Sequence, residues 1–264
     1  MSGWQLTYDG FDPADEGLRE ALCTVGNGYF ATRGALPEAS ADDVHYPGTY
    51  VAGCFNRLVT EISGRDVENE DMVNAPNWLS FTFRIEGGPW LDLRTVIVLS
   101  HTLSLDLRRG LLTRGTRVRD EAGRTTSVTQ RRFVHMDSPH LAGLETTLAA
   151  EDWSGRVEIL SALDGTVENT GVPRYRQLRH AHLVPVEETV ERDGTMTLVV
   201  ETSQSHVRLA ESASLTVNGR PLDEAAVGER VVCPGYVAVR FAAEVDADRP
   251  LLVEKLVALH SSRD

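Results

Sequence analysis

The chain has 264 residues, a mass of 29.0 kDa and a formal net charge of −13 at pH 7. That charge argues against nucleic acid, because a phosphate backbone is bound through a concentrated cationic surface. No run approaches the roughly 18 consecutive apolar residues of a membrane helix, and 41% hydrophobic residues match an ordinary globular protein. The length suits one all-β domain, since β-sandwiches commonly reach about 200–250 residues as a single unit.

The first ten residues, Met1 to Gly10, lack the basic and apolar regions of a secretory leader, which predicts a cytoplasmic location if the native chain starts there. The one helix predicted is Asp12–Cys23: Asp12 can cap it, Pro13 suits its first position, and Asp15 and Glu16 complement the dipole. Gly26-Asn-Gly-Tyr-Phe-Ala31 has the spacing of a phosphate-binding loop. Such a loop follows a strand and opens a helix, whereas this segment follows a helix and opens a strand at Tyr29–Arg33. Ala35–Pro47 reads as a polar loop.

Strict alternation then begins. In Trp78–Glu86 the residues Leu79, Phe81, Phe83 and Ile85 share one face, while Ser80, Thr82, Arg84 and Glu86 share the other, the period of a half-buried strand. A Gly87-Gly88-Pro89 turn leads to a predicted strand at Leu91–Leu99. Further strands are predicted at Thr125–Val134, Leu141–Leu148, Val157–Leu163, Met196–Glu201, Ser214–Val217 and Tyr236–Val245, with a polar loop at Val167–His182. Asp193-Gly194 and Asn218-Gly219 are hairpin-turn dipeptides, so antiparallel meanders are expected. The β pattern runs on through Leu251 to Asp264 with no helical pattern at its end, which predicts a single β domain over 1–264.

Residues that could carry chemistry are scattered. Cys23, Cys54 and Cys233 are too few and too far apart for a disulfide framework or a zinc site, and are expected to be reduced and mostly buried. Glycoside hydrolysis needs opposed carboxylates; Glu68-Asn-Glu-Asp71, Glu151-Asp152 and Glu187-Glu188 are adjacent in sequence, which does not produce that geometry. His180 and His182, on a strand, would share a face as half of a metal site, but no third ligand is apparent, and no metal is expected. Arg108-Arg109 and Arg131-Arg132 could grip an oxyanion or pair with acids. Trp78, Trp90, Trp153, Tyr175 and Tyr236 could stack on sugar rings or fill the core.

Seven stretches, in order, resemble glycoside hydrolase family 65: Glu20–Gly34, Gly48–Gly53, Val73–Trp78, Leu105–Leu112, Arg131–Val134, Leu163–Asn169 and Val253–Asp264. This family contains the phosphorylases of maltose, trehalose, kojibiose and nigerose together with some hydrolases. The resemblance implies an all-β fold: an antiparallel β-supersandwich of the galactose-mutarotase-like kind with few short helices. It also implies a partner absent from these residues, a C-terminal (α/α)6 barrel that carries the general-acid glutamate and the phosphate site. No catalytic residue and no cofactor are therefore expected here, and inorganic phosphate would be a co-substrate of the full-length enzyme. Asn27, Arg33, Asn77 and Trp78 lie in the most family-like motifs and are candidates for an inter-domain face or the substrate entrance, or equally for internal turns and core.

Three functional classes follow. The first is a non-catalytic N-terminal domain of an enzyme acting on α-glucosidic disaccharides, serving barrel packing, homodimer contact or substrate access; a face normally covered by the barrel would then be apolar. The second is a free-standing carbohydrate-binding module. The third is an autonomous enzyme with an epimerase-like activity, suggested by fold alone.

Overall fold

The structure is a computed structural model and describes residues 3–170 and 177–264. In chain order the elements are β1 (Gln5–Asp9), α1 (Glu16–Leu22), β2 (Val25–Gly26), β3 (Phe30–Thr32), β4 (Thr49–Val51), β5 (Phe55–Ile62), β6 (Arg65–Met72), β7 (Phe81–Ile85), β8 (Ile97–Asp106), β9 (Leu111–Arg119) and β10 (Thr125–Val134). They continue with β11 (Leu141–Ala150), β12 (Gly155–Asp164), β13 (Leu183–Val190), β14 (Met196–Thr202), β15 (Arg208–Val217), β16 (Arg220–Pro221), β17 (Val227–Cys233), β18 (Tyr236–Val245) and β19 (Leu251–Ser261).

The large sheet runs β1-β8-β9-β10-β11-β19-β15-β14-β13, with β16 attached to β15, and the second runs β17-β18-β12-β7. Their inner faces supply the main core, including Phe81, Phe83, Ile159, Phe241, Leu144, Leu198 and Val257. Among the described residues every strand pairing is antiparallel, so the chain is the all-β sandwich that its patterning predicts, in the two-sheet form that the resemblance implies. Two smaller sheets, β2-β3-β4 and the hairpin β5-β6, lie beside it.

The predicted elements survive with shifted bounds. Tyr236–Val245 is a strand as expected, and Asn218 and Gly219 both take positive φ in the β15–β16 turn, where Gly219 has no Cβ to strain. The helix starts later than predicted: Asp12 accepts a hydrogen bond from the backbone N of Ala14, closing a turn, and Asp15 takes the N-cap position. The strand placed at Leu91–Leu99 begins instead at Ile97, because Asp92 bonds the backbone of Arg94 and Thr95 and turns the chain there. The loop at 35–47 is less polar than expected: Ala35 and Leu36 are buried, and Gly34 sits so close to Cys23 that an added Cβ would come within 2.7 Å of it.

On the outer face of the large sheet, Phe133, Gly143 and Leu256 stand side by side across β10, β11 and β19. Phe133 and Leu256 are 36% and 51% exposed. The Phe133 ring lies against Gly143, where an added Cβ would meet it at 2.9 Å.

Candidate functional site

The segment between β3 and β4 crosses one end of the sandwich as a strap. Arg132, on β10, donates to the carbonyl of Ala35 at 2.6 Å, and Arg114, on β9, pairs with Glu38 at 2.6 Å with both side chains buried. Burial disfavours the charged guanidinium of Arg132 and brings its pKa down to about 10. Farther along, Asp42 accepts from the backbone of Val44 and His45 and pairs with Arg94. The strap tip, Ala39–Ala41, stands between two cavities.

The cavity on one side has about 460 Å³ and is lined by Phe11, Glu38, Asp42, His45, Trp90, Asp92 and Arg94, among others. Its charged groups are already engaged with one another or with neighbours: Arg94 with Asp42 and Asp92, Glu38 with Arg114, and His45 with Glu20. The contact with the Glu20 carboxylate raises the His45 pKa.

The cleft on the other side, about 390 Å³, is lined by Pro47, Asn74, Asn77, Ser80, Asp164, Thr166, Glu168 and Thr170 as well as the strap tip. Asn77 and Asp164 form an isolated antiparallel bridge: the backbone N of Asn77 donates to Asp164 O at 2.7 Å, and the reverse bond is 3.2 Å. Residues bridged in this way place their side chains on the same side, with Cβ atoms roughly 5 Å apart. Each side chain is then fixed by its own turn. Asn77 Oδ1 accepts from Leu79 N at 3.0 Å, while Asp164 Oδ1 accepts from Thr166 N at 2.9 Å and from Thr166 Oγ1 at 2.6 Å. Asn77 Nδ2 and Asp164 Oδ2 have no partner among the described residues, although Asn77 is only 7% exposed. A donor and an acceptor therefore face the cleft side by side, and neither can rotate away without breaking a turn.

The floor of the cleft is braced from inside. Lys255, the only lysine of the chain and 1% exposed, donates to Ala162 O at 2.6 Å and to Ser80 O at 3.2 Å. It thus ties the strand carrying Asp164 to the segment carrying Asn77. Burial lowers its pKa to about 7, partly offset by Glu211. Glu211 is itself buried with both carboxylate oxygens unpartnered, and desolvation pushes its pKa well above the usual carboxylate range.

The four residues marked from sequence are separate. Asn27 staples a turn, donating to His135 O and Pro139 O and accepting from the backbone of Tyr29 and Phe30. Arg33 donates to Tyr46 O and Gly17 O beneath the strap. Trp78 is fully buried and donates to Thr32 Oγ1 at 2.8 Å, so it presents no surface. Asn77 alone lines the cleft.

The other candidates resolve into pairs and caps. Arg131 pairs with Glu145, and Glu68 and Glu70 flank Arg57. Glu151 is held by Arg117 and Ser127, which take its pKa down to about 2. Glu188 caps Gly235 N. His182 lies outside any strand, buried against Asn56 and Asp71. Cys23 and Cys54 are buried, Cys233 is exposed, and none forms a disulfide. Tyr175 lies outside the described residues. Sequence reading left Asp164 unmarked within the Leu163–Asn169 stretch, far from Asn77 along the chain, and missed the role of Lys255.

A second cluster closes the C-terminal segment. Asp264 accepts from Tyr29 Oη, Ser261 N and His260 Nδ1, and the His260 ring stacks on that of His140 at 3.9 Å. The Nδ1 atoms of both histidines are occupied, by Leu259 O for His140 and by Asp264 for His260.

Comparison with known proteins places the whole chain. The description "Glycosyl hydrolase family 65, N-terminal domain" matches residues 6–264. An uncharacterised glycosyl hydrolase of Mycobacterium tuberculosis is 44% identical over 263 residues, covering 99% of this chain and 20% of that protein. The trehalose 6-phosphate phosphorylase of Lactococcus lactis is 34% identical over 82% of this chain and 27% of its own length. A kojibiose phosphorylase of Caldanaerobacter subterraneus is 26% identical over 99% of this chain and 33% of its own. A solved structure named as a kojibiose phosphorylase from the human microbiome superposes with a TM-score of 0.83 at 17% identity, covering 98% of this chain and 32% of the other. The chain thus spans a fifth to a third of the length of these relatives.

Proposed function

Because the chain belongs to glycosyl hydrolase family 65 as its N-terminal domain, we propose that it is the non-catalytic front domain of an enzyme that cleaves α-glucosidic disaccharides. The observation that carries this reading is the match of the family's N-terminal domain to residues 6–264, set beside relatives three to five times longer. The chemistry would lie in a C-terminal catalytic domain, with inorganic phosphate as co-substrate where the enzyme is a phosphorylase. Three free thiols fit a reducing compartment and hence a cytoplasmic enzyme.

The domain's contribution is structural and topographic. The exposed Phe133 and Leu256 on the outer face of the large sheet suit packing against the catalytic domain or against a second subunit. The strap, the Val73–Trp78 segment and the loop after β12 form an end of the sandwich suited to shaping substrate access, and Asn27 and Arg33 hold the turns behind it.

The test is turnover by this chain alone. Incubated with kojibiose, trehalose, nigerose or maltose, with and without phosphate, it should release neither glucose nor glucose 1-phosphate. Release by the purified 264-residue chain would overturn the reading.

A further inference from the structure

We infer that the cleft between the strap tip and the Asn77–Asp164 bridge is a binding site for an uncharged, polyhydroxylated ligand, of which a neutral α-linked glucose disaccharide is the fitting class. The choice of glucosides rests on the family reading above; the binding chemistry rests on the cleft alone.

Three observations converge. The cleft volume, about 390 Å³, falls within the range of roughly 300–1,000 Å³ typical of small-molecule pockets. Two polar atoms that nothing in the described chain satisfies face it. Asn77 Nδ2 is the free donor of a side chain more than nine-tenths buried, and Asp164 Oδ2 is the free acceptor of a carboxylate whose other oxygen is held twice by Thr166. Neither atom is wholly enclosed, so both are open to the hydroxyl groups of a ligand in the cleft. The third observation is order: the backbone bridge fixes the two groups side by side, the Asx turns at Asn77 and Asp164 fix their orientation, and the Lys255 ammonium fixes the strands beneath them. Groups held in advance lose little freedom on binding.

The arrangement also selects. Adjacent hydroxyls of a sugar ring each donate and accept, so one can donate to Asp164 Oδ2 while its neighbour accepts from Asn77 Nδ2, a bidentate match. Ser80 and Thr166 line the same space with further hydroxyls. Among the described lining residues the charged groups are Asp164 and Glu168, with no basic side chain. An anionic ligand would meet the like charge of these two carboxylates, which disfavours a phosphorylated sugar. The neighbouring 460 Å³ cavity carries more charge, but its groups pair with one another or with adjacent residues.

The experiment follows the side-chain amide of Asn77 and the backbone amides of residues 164–168 by nitrogen-15 NMR while the full 264-residue chain is titrated with kojibiose, trehalose and trehalose 6-phosphate. A neutral disaccharide should give saturable shifts at these positions in the millimolar range, and trehalose 6-phosphate should bind at least tenfold more weakly. Asn77→Asp keeps the acceptor for Leu79 N but removes the donor; Asp164→Asn keeps the acceptor for Thr166 but replaces the free oxygen with a donor. Each should weaken binding at least tenfold with the melting temperature little changed. Absence of saturable shifts, saturation centred elsewhere, tighter binding of the phosphorylated sugar, or unchanged affinity in both folded variants would each overturn the inference. If a variant fails to fold, the site-resolved shifts of the unsubstituted chain decide. Binding accompanied by turnover would overturn the proposed non-catalytic role and spare the site.

Discussion

The two cavities beside the strap have similar size and share a wall, yet they differ in what their polar groups are doing. In the larger one, the guanidinium, carboxylate and imidazole groups are drawn into ion pairs, although Glu38 Oε2 is buried without a partner. In the smaller one, a locked amide and a locked carboxylate each keep one atom uncommitted. The contrast teaches that volume and charge density are poor guides to a binding surface. What differs is compensation: the carboxylates of the larger cavity are paired with cations, whereas Asp164 in the smaller one has no ion-pair partner among the described residues.

The largest effect should come from the brace beneath the smaller cavity. Lys255→Met removes the hydrogen bonds from a charged donor to Ala162 O and Ser80 O, and losing a hydrogen bond of this kind typically costs about 1.5–3 kcal/mol. For a domain of this size that corresponds to a fall of roughly 10 °C in melting temperature. The double variant Glu211→Leu/Lys255→Met should recover part of the loss, because it also removes the unpartnered buried carboxyl of Glu211. Thermal unfolding of the three proteins checks this, and a single variant as stable as the parent would show that the cleft floor needs no brace.

Next in size is a pH effect of the same lysine. Its folded pKa, about 7, lies below its unfolded value of 10.5, so between those limits the unfolded chain binds more protons and stability rises with pH. The slope approaches about 1.4 kcal/mol per pH unit for one proton. Glu211, with its raised folded pKa, acts in the opposite sense, its contribution falling as pH rises from 4.5 towards that value. Denaturant melts at pH 7, 8 and 9 should show an upward trend in the parent that disappears in the double variant, and equal trends would break the assignment.

The smallest effect is expected in the larger cavity. Arg94 is exposed, and its pairs with Asp42 and Asp92 are of the surface kind, worth about 0–1 kcal/mol. Arg94→Ala should therefore leave melting within a few degrees and disaccharide affinity unchanged. A loss of affinity would move the binding surface to the other side of the strap.

Much of the fold was legible because a sandwich imposes period two wherever one face is buried. Phe81–Ile85 and Tyr236–Val245 declared themselves that way. The strands that escaped notice lack that constraint or disguise it. Arg65–Met72 belongs to an exposed hairpin and has no apolar face to display. Leu111–Arg119 turns Arg114 and Thr116 inward alongside Leu112 and Val118, so its inner face does not look apolar. The cleft was half legible. Asn77 and Asp164 stood in two separate family-like stretches, but they meet through a long-range bridge, and no local spacing announces such a pair. Lys255 was visible as a lone lysine, yet a residue count cannot tell a compositional accident from a brace.

That lone lysine also decides how the folded protein meets reagents. With its ammonium enclosed between two sheets and hydrogen-bonded to two carbonyls, no side-chain amine is available for acylation, reductive alkylation or amine-directed cross-linking. Acetylation of the native domain at a lysine is closed off in the same way. Chemical mapping of this domain against any neighbour must therefore go through its carboxylates, its arginines or the exposed thiol of Cys233.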